Sequence, residues 1–238
     1  MIRQSAGGHF VRLVACLAAA ASVSAQRGPV ADPIVRENAT VKLAAHTYVI
    51  LDGNVGLVSN VGIIVGSRAT LVIDPGLGRR NGETVLREMG KLSKNAEVFI
   101  ASTHFHAEHT TGYLAFPATA KYINSKVQEA EFAEGGAQQI RTFSGRWPLT
   151  AELLKDATGR KADITFDRDY VLDLGGVRVR FLVVGPTHTR GDTGLFVEGD
   201  GVLFAGDVVQ TELQVKHPEW PRANGLSAAA RAAYSETP

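Results

Sequence analysis

Hydrophobic positions along this chain fall into short runs cut by glycine, proline and asparagine, with one clear stretch of helical spacing among them. Val61, Ile63, Ile64 and Val65, followed by Leu71, Val72 and Ile73, form two β-branched runs joined by Gly66-Ser67-Arg68. That pattern predicts a hairpin over residues 61–73, closed by Asp74-Pro75-Gly76. Upstream, residues 40–52 carry Val41, Leu43, Tyr48, Val49 and Ile50 at strand-like density, and Asp52-Gly53-Asn54-Val55-Gly56 predicts a turn or mobile loop. Val85, Leu86, Met89 and Leu92 recur three or four positions apart, which predicts an amphipathic helix over residues 81–93 leading to a buried strand at 97–101. Strand, helix, strand is the unit from which layered α/β proteins are built.

The second half has the same grammar. A short strand is expected at residues 120–124. Residues 126–159, rich in Glu, Gln, Ala, Lys and Leu, predict helices broken at Gly135-Gly136 and at Pro148, with Phe143 and Trp147 as packing residues. Strands follow at 164–166 and 170–172, then a Gly175-Gly176 turn. In residues 177–184, Val177, Val179 and Phe181 alternate with Arg178 and Arg180 before the run turns wholly apolar, so a half-exposed strand that ends buried is expected. Residues 193–198 and 202–205 form a second hairpin around Gly199-Asp200-Gly201.

The ends of the chain differ in composition. In residues 1–25 the only charges are Arg3 and Arg12, an Ala/Leu/Val-rich segment follows, and Val23-Ser24-Ala25 offers small residues before Gln26, the pattern of a secretory signal. A lipobox-like reading at Leu13-Val14-Ala15-Cys16 ranks second, because Arg12 interrupts its apolar region. Residues 26–38, with Pro29 and Pro33, predict a linker, and residues 39–238 a single domain. Export to the periplasm or medium follows from this reading.

Composition changes the picture in two ways. Cys16 is the only cysteine and lies in the signal-like segment, so the mature chain has no internal disulfide and no thiolate ligand. Without Arg3 and Arg12 the balance is 23 basic against 24 acidic residues, which gives no reason to expect nucleic acid, and no further apolar stretch is long enough to span a membrane. A small-molecule substrate is the expected partner; oligomeric state is left open.

Chemistry concentrates after the strand at 97–101. Three of the seven histidines, His104, His106 and His109, fall within six positions, together with Glu108. In an extended backbone residues i and i+2 point the same way, so His104 and His106 can offer their imidazoles to one ion, while Glu108 and His109 can reach a second from another direction. Neutral imidazole with carboxylate is a ligand set for zinc and related metals. Any one of these histidines alone is better read as a hydrogen-bonded loop residue. Asp74, at a strand end, reads most simply as a turn former or cap.

The run His104-Phe105-His106-Ala107-Glu108-His109 resembles the His-x-His-x-Asp-His signature of the metallo-β-lactamase superfamily. Gly185-Pro186-Thr187-His188-Thr189-Arg190-Gly191-Asp192 is similar to that family's second histidine motif, Phe204-Ala205-Gly206-Asp207 to its bridging-aspartate motif, and Leu71-Val72-Ile73-Asp74-Pro75-Gly76 to its early strand-end aspartate. The resemblance spans residues 38–210. It implies a four-layer αβ/βα sandwich with a centre for one or two zinc ions along one edge of its sheets. His104, His106 and His188 would hold the first metal, Glu108 and His109 the second, and Asp207 would bridge. Glu108 and Asp207 would be the catalytic carboxylates, and Asp74 would orient the histidine loop. The implied reaction is hydrolysis of an ester, lactone, thioester or amide by a metal-bound water.

Two departures set further expectations. Glu108 stands where the family has aspartate, which leaves it as ligand or as proton acceptor. The resemblance also implies one more histidine beyond Asp207, for which His217 is the only candidate, so the second half of the sandwich and the second metal site are expected to be incomplete. Aspartate at 207 looks more like glyoxalase II, lactonases and related esterases than like true β-lactamases, which usually have cysteine or serine there. A β-lactamase and a non-catalytic metal-binding protein of the same fold remain the alternatives.

Overall fold

A computed structural model describes residues 31–209. The signal-like segment, the first part of the linker, His217 and the tail lie outside the described residues.

Eleven strands form two sheets among the described residues. The first contains β1 (Thr40–Lys42), β2 (Thr47–Ile50), β3 (Val61–Val65), β4 (Ala69–Ile73), β5 (Glu97–Ala101), β6 (Lys121–Ser125) and β7 (Ile164–Phe166), side by side in chain order. Its first four strands pair antiparallel and β4 to β7 pair parallel. The second, wholly antiparallel sheet has the order β11 (Val202–Phe204), β10 (Thr193–Val197), β9 (Arg178–Val183), β8 (Asp169–Asp173). Five α-helices accompany them: α1 (Gly78–Leu92), α2 (Ala107–Thr110), α3 (Lys126–Glu131), α4 (Ala137–Ser144) and α5 (Pro148–Leu153).

Period-two alternation places each strand between two cores. In β4 and β5, Leu71, Ile73, Phe99 and Ala101 face the second sheet and meet Val179, Phe181, Leu195 and Phe204. Val72, Val98 and Ile100 face the other way, onto Val85 and Met89 of α1. Each of the Val, Leu, Ile, Phe and Met side chains, fully buried, contributes about 1.5–3 kcal/mol. The described residues thus supply three layers in the order helix, sheet, sheet. Around Leu77, Ala107, Ile140, Phe143 and Leu153 a third cluster packs α2, α4 and α5 beside the histidine loop, so Phe143 is core, as expected.

The differences from expectation have local causes. Residues 40–52 split into β1 and β2. Helix α1 begins at Gly78, earlier than expected, because its first turn carries no side-chain cap for the sequence to display. Residues 33–40, read as linker and strand start, are irregular at first yet fastened to α1: Val35 N donates to Asn81 Oδ1 (2.9 Å), Asn81 Nδ2 to the Pro33 carbonyl (2.8 Å), and Thr40 Oγ1 to Glu88 (2.7 Å). Gly135-Gly136 does not break its helix; residues 132–136 widen into a π turn between α3 and α4. Pro148 opens α5, where its missing N–H costs nothing. The end of β9 is not fully buried, since Leu182 shares the outer face with Arg178 and Arg180, whose guanidiniums pair with Glu198.

Close backbone approach fixes the base of the histidine loop. A Cβ on Gly82 of α1 would lie 2.0 Å from the Gly112 carbonyl oxygen, and one on Gly112 would lie 2.1 Å from that of Pro75. Glycine at both positions lets α1, the segment after the histidines and the end of β4 interlock.

Candidate metal centre

The ends of β4, β5, β9 and β11 deliver Asp74, His104, His188 and Asp207 to one edge of the two sheets. Between β5 and α2 the chain bends, and His106 takes an extended conformation (φ −65°, ψ 150°) as the residue before α2. Glu108 and His109 then follow on α2. The sheets are joined at this point by Thr193 N, which donates to the Thr103 carbonyl at 2.8 Å.

Two groups of donor atoms converge here, each within 4.8 Å of one another: His104, His106 and His188, and His104, His109 and Asp207. The first is the expected tridentate set. His188 Nε2 lies 3.1 Å from His106 Nδ1, and the His104 and His106 ring centroids are 4.5 Å apart. Asp207 lies between the groups, with Oδ1 3.4 Å from His109 Nε2 and Oδ2 3.6 Å from His188 Nε2, as a bridging carboxylate would. His104, expected in the first set alone, belongs to both. Glu108 belongs to neither.

The donors fit a metal ion. His104 is fully buried and its Nε2 has no hydrogen-bond partner. A buried ring nitrogen left bare is costly unless something else occupies its lone pair. Burial, followed by the neighbouring His109, His106 and His188, pushes His104 far below the usual histidine range. Burial likewise brings His106 to about 3, helped by His188, His109 and Arg146. Both rings are therefore neutral at ordinary pH, the form that binds a metal.

His109 behaves oppositely. Burial opposes its charge, but Asp74 above all, then Asp207 and Glu108, outweigh burial and raise it to about 9. Asp74 has a left-handed backbone (φ 53°) and is the hub: Oδ1 accepts from Thr103 N (2.7 Å), Oδ2 from Thr103 Oγ1 (2.8 Å), and Oδ2 lies 3.0 Å from His109 Nδ1. Of the two readings of Asp74, turn former or cap and orienting residue, the geometry supports the orienting one. Held at Nδ1, His109 presents Nε2 toward the donor group, the arrangement in which a carboxylate fixes the tautomer of a ligand histidine.

Asp192 organises the other loop. Its Oδ2 accepts from Thr187 Oγ1, His188 N (2.6 Å) and Thr189 N (2.8 Å), and its Oδ1 accepts from Thr189 Oγ1 (2.6 Å). Asp192 stands inside a motif quoted above and Thr103 immediately precedes another, neither with an assigned role; their proximity to the histidines was the available signal.

Glu108 is 8 % exposed, and its Oε2 has no partner. Burial lifts its carboxyl to about 7, with Asp207 adding to the rise and His109 opposing it. Together with Asp74, His109 and Asp207 it lines a cleft whose wall carries Leu51, Val55 and Phe204.

The sequence profile of the metallo-beta-lactamase superfamily matches residues 54–236, so the match extends into the tail that carried no recognised motif. No curated protein matches the chain in sequence. Among solved structures, a metallo-beta-lactamase from Pontibacter korlensis is similar at 20% identity with a TM-score of 0.56, covering 75% of this chain and 74% of that one. A Cronobacter sakazakii metallo-beta-lactamase with a HARLDQ motif is similar at 16% identity and TM-score 0.58, covering 84% and 74%. The native metallo-beta-lactamase FEZ-1 from Legionella gormanii is similar at 18% identity and TM-score 0.56, covering 85% and 74%. The two-sheet α/β architecture, the donor groups at its edge and the matched profile agree: this chain belongs to the metallo-beta-lactamase superfamily.

Proposed function

We propose that this protein is a zinc-dependent hydrolase acting on an ester, lactone, thioester or amide. The observation that carries the reading is the His104, His106 and His188 group, with a bare buried His104 Nε2, beside a cleft lined by Glu108 and Asp207. Zinc held there would supply Lewis acidity and a water ionised near neutral pH. The chain's own residues do the rest. His104, His106 and His188 bind; Asp74 and Asp192 fix the two loops; Asp207 spans the two donor groups. Glu108, whose Oε2 is in neither donor group and has no partner, would take the proton. Apolar Leu51, Val55 and Phe204 hold the non-reacting part of the substrate away from water.

Turnover of a β-lactam, a homoserine lactone and a thioester by the zinc-loaded protein is the test. Hydrolysis of at least one is expected, with the lactone or thioester ahead of the β-lactam because aspartate at 207 resembles the glyoxalase II and lactonase pattern. Glu108→Ala is expected to cut turnover by about 100-fold or more while zinc at the three-histidine group stays at the wild-type level. Unchanged turnover would place Glu108 outside the reaction.

We also infer export, from the charge pattern of residues 1–25 and the cysteine-free remainder. Mass spectrometry of the cell-envelope fraction should find Gln26 at the N-terminus, and a steady-state species retaining Met1 in the cytoplasm contradicts it.

A further inference from the structure

Helices α3 and α4 and the π turn between them form one continuous helical run, residues 126–144. Two polar side chains leave it toward the two histidine loops. Glu131, at the end of α3 and 7 % exposed, accepts from Arg190 N (2.8 Å) through Oε1 and from Gly191 N (2.6 Å) through Oε2. Both donors follow His188 within the loop between β9 and β10. Gln139, in α4, accepts through Oε1 from Ala107 N (2.8 Å), the residue after His106. Gly191 lies so close to α3 that a Cβ there would sit 2.7 Å from Gln128 N, so this loop rests directly on the helix.

The π turn matters to the pairing. In a regular α-helix, residues eight apart are about 80° out of phase. A π turn closes its hydrogen bond one residue later and absorbs one position. Glu131 and Gln139 then relate as i and i+7, which share one stripe of a helix.

The geometry points to Glu131 and Gln139 as a pair of positioning residues that hold the His188 loop and the His104–His109 loop at the separation the three-histidine group requires. One loop extends from the four-stranded sheet and the other from the seven-stranded sheet. At their base the sheets are tied by Thr193 N to the Thr103 carbonyl. The helical run ties the two loops to each other through Glu131 and Gln139. The Arg190 guanidinium adds contacts to Glu131 and Glu134 from outside, so the Glu131 carboxylate is charge-paired as well as hydrogen-bonded. This role rests on reading His104, His106 and His188 as a metal group.

The test uses the full mature chain, stripped of metal and titrated with zinc, and in parallel with cobalt, whose visible spectrum reports ligand geometry. Glu131→Leu and Gln139→Leu are each expected to weaken zinc binding at the three-histidine group about tenfold and to alter the cobalt spectrum. Gln139→Glu, which keeps an acceptor for Ala107 N–H, should restore both. Glu131→Gln leaves one acceptor oxygen for two N–H donors, so it should give an intermediate weakening, and it keeps the test decisive if a leucine variant does not fold. Leucine variants that melt earlier yet bind zinc and colour cobalt like the wild type overturn the proposal and leave the metal group standing. A wild-type protein that binds neither ion overturns the metal group itself.

Discussion

Replacing His106 and His188 together by alanine is expected to remove zinc from the three-histidine group. Two of that group's three donors are lost, and His104 is left only to the other group, with His109 and Asp207. Losing a partner outside the ligand shell typically costs about 10–100-fold in affinity, so losing two ligands should cost more than about 100-fold. Both rings are only partly buried, and the folded state should survive. Elemental analysis after gel filtration checks this. Zinc retained at the wild-type ratio means that the three histidines are not the site.

Asp74→Ala is expected to have the largest effect on stability. The substitution leaves Thr103 N–H, Thr103 Oγ1 and His109 Nδ1 buried without their carboxylate. Breaking a buried pair of this kind costs about 3–5 kcal/mol, roughly 6–20 °C in the Tm of a protein this size. The pH dependence has a definite sign. His109 is raised in the folded, metal-free protein to about 9 from 6.5, chiefly by Asp74 against the cost of burial. The stability it contributes is fully present below about pH 6.5 and is lost as pH rises through 9. The difference between wild type and variant should therefore be widest in mild acid and narrow above pH 9. A constant difference across that range means that Asp74 acts through Thr103 alone.

Legibility from sequence followed the range of the interactions involved. The hairpin of β3 and β4, strand β5 and strand β7 have residue-level signals, β-branched runs bounded by turns, and they form where those signals end. The π turn was hidden because Gly135-Gly136 is a helix breaker by propensity; the Phe132 ring, which would lie 2.6 Å from a Cβ on Gly136 and 2.2 Å from one on Gly159, fills the space those glycines leave. The candidate donors His104, His106, His109, His188 and Asp207 were readable, since each stands in a short motif that follows a strand. What their neighbours do was not. Glu131 reaches across 59 and 60 positions to the His188 loop and Gln139 across 32 to Ala107, and no local periodicity encodes such contacts. The place of His104 in both donor groups, and of Glu108 in neither, depends on how α2 turns after His106, a three-dimensional fact.

The most direct test of a zinc-dependent hydrolase at this site is to strip the mature protein of metal, add zinc in increments, and follow bound zinc and hydrolysis of the responsive substrate in the same samples. Hydrolysis is expected to be absent without metal, to rise with zinc occupancy, and to stay absent in the His106→Ala/His188→Ala variant at every zinc concentration. Hydrolysis that persists in the stripped protein, or zinc bound at the histidines with no turnover of ester, lactone, thioester or β-lactam, would contradict the account.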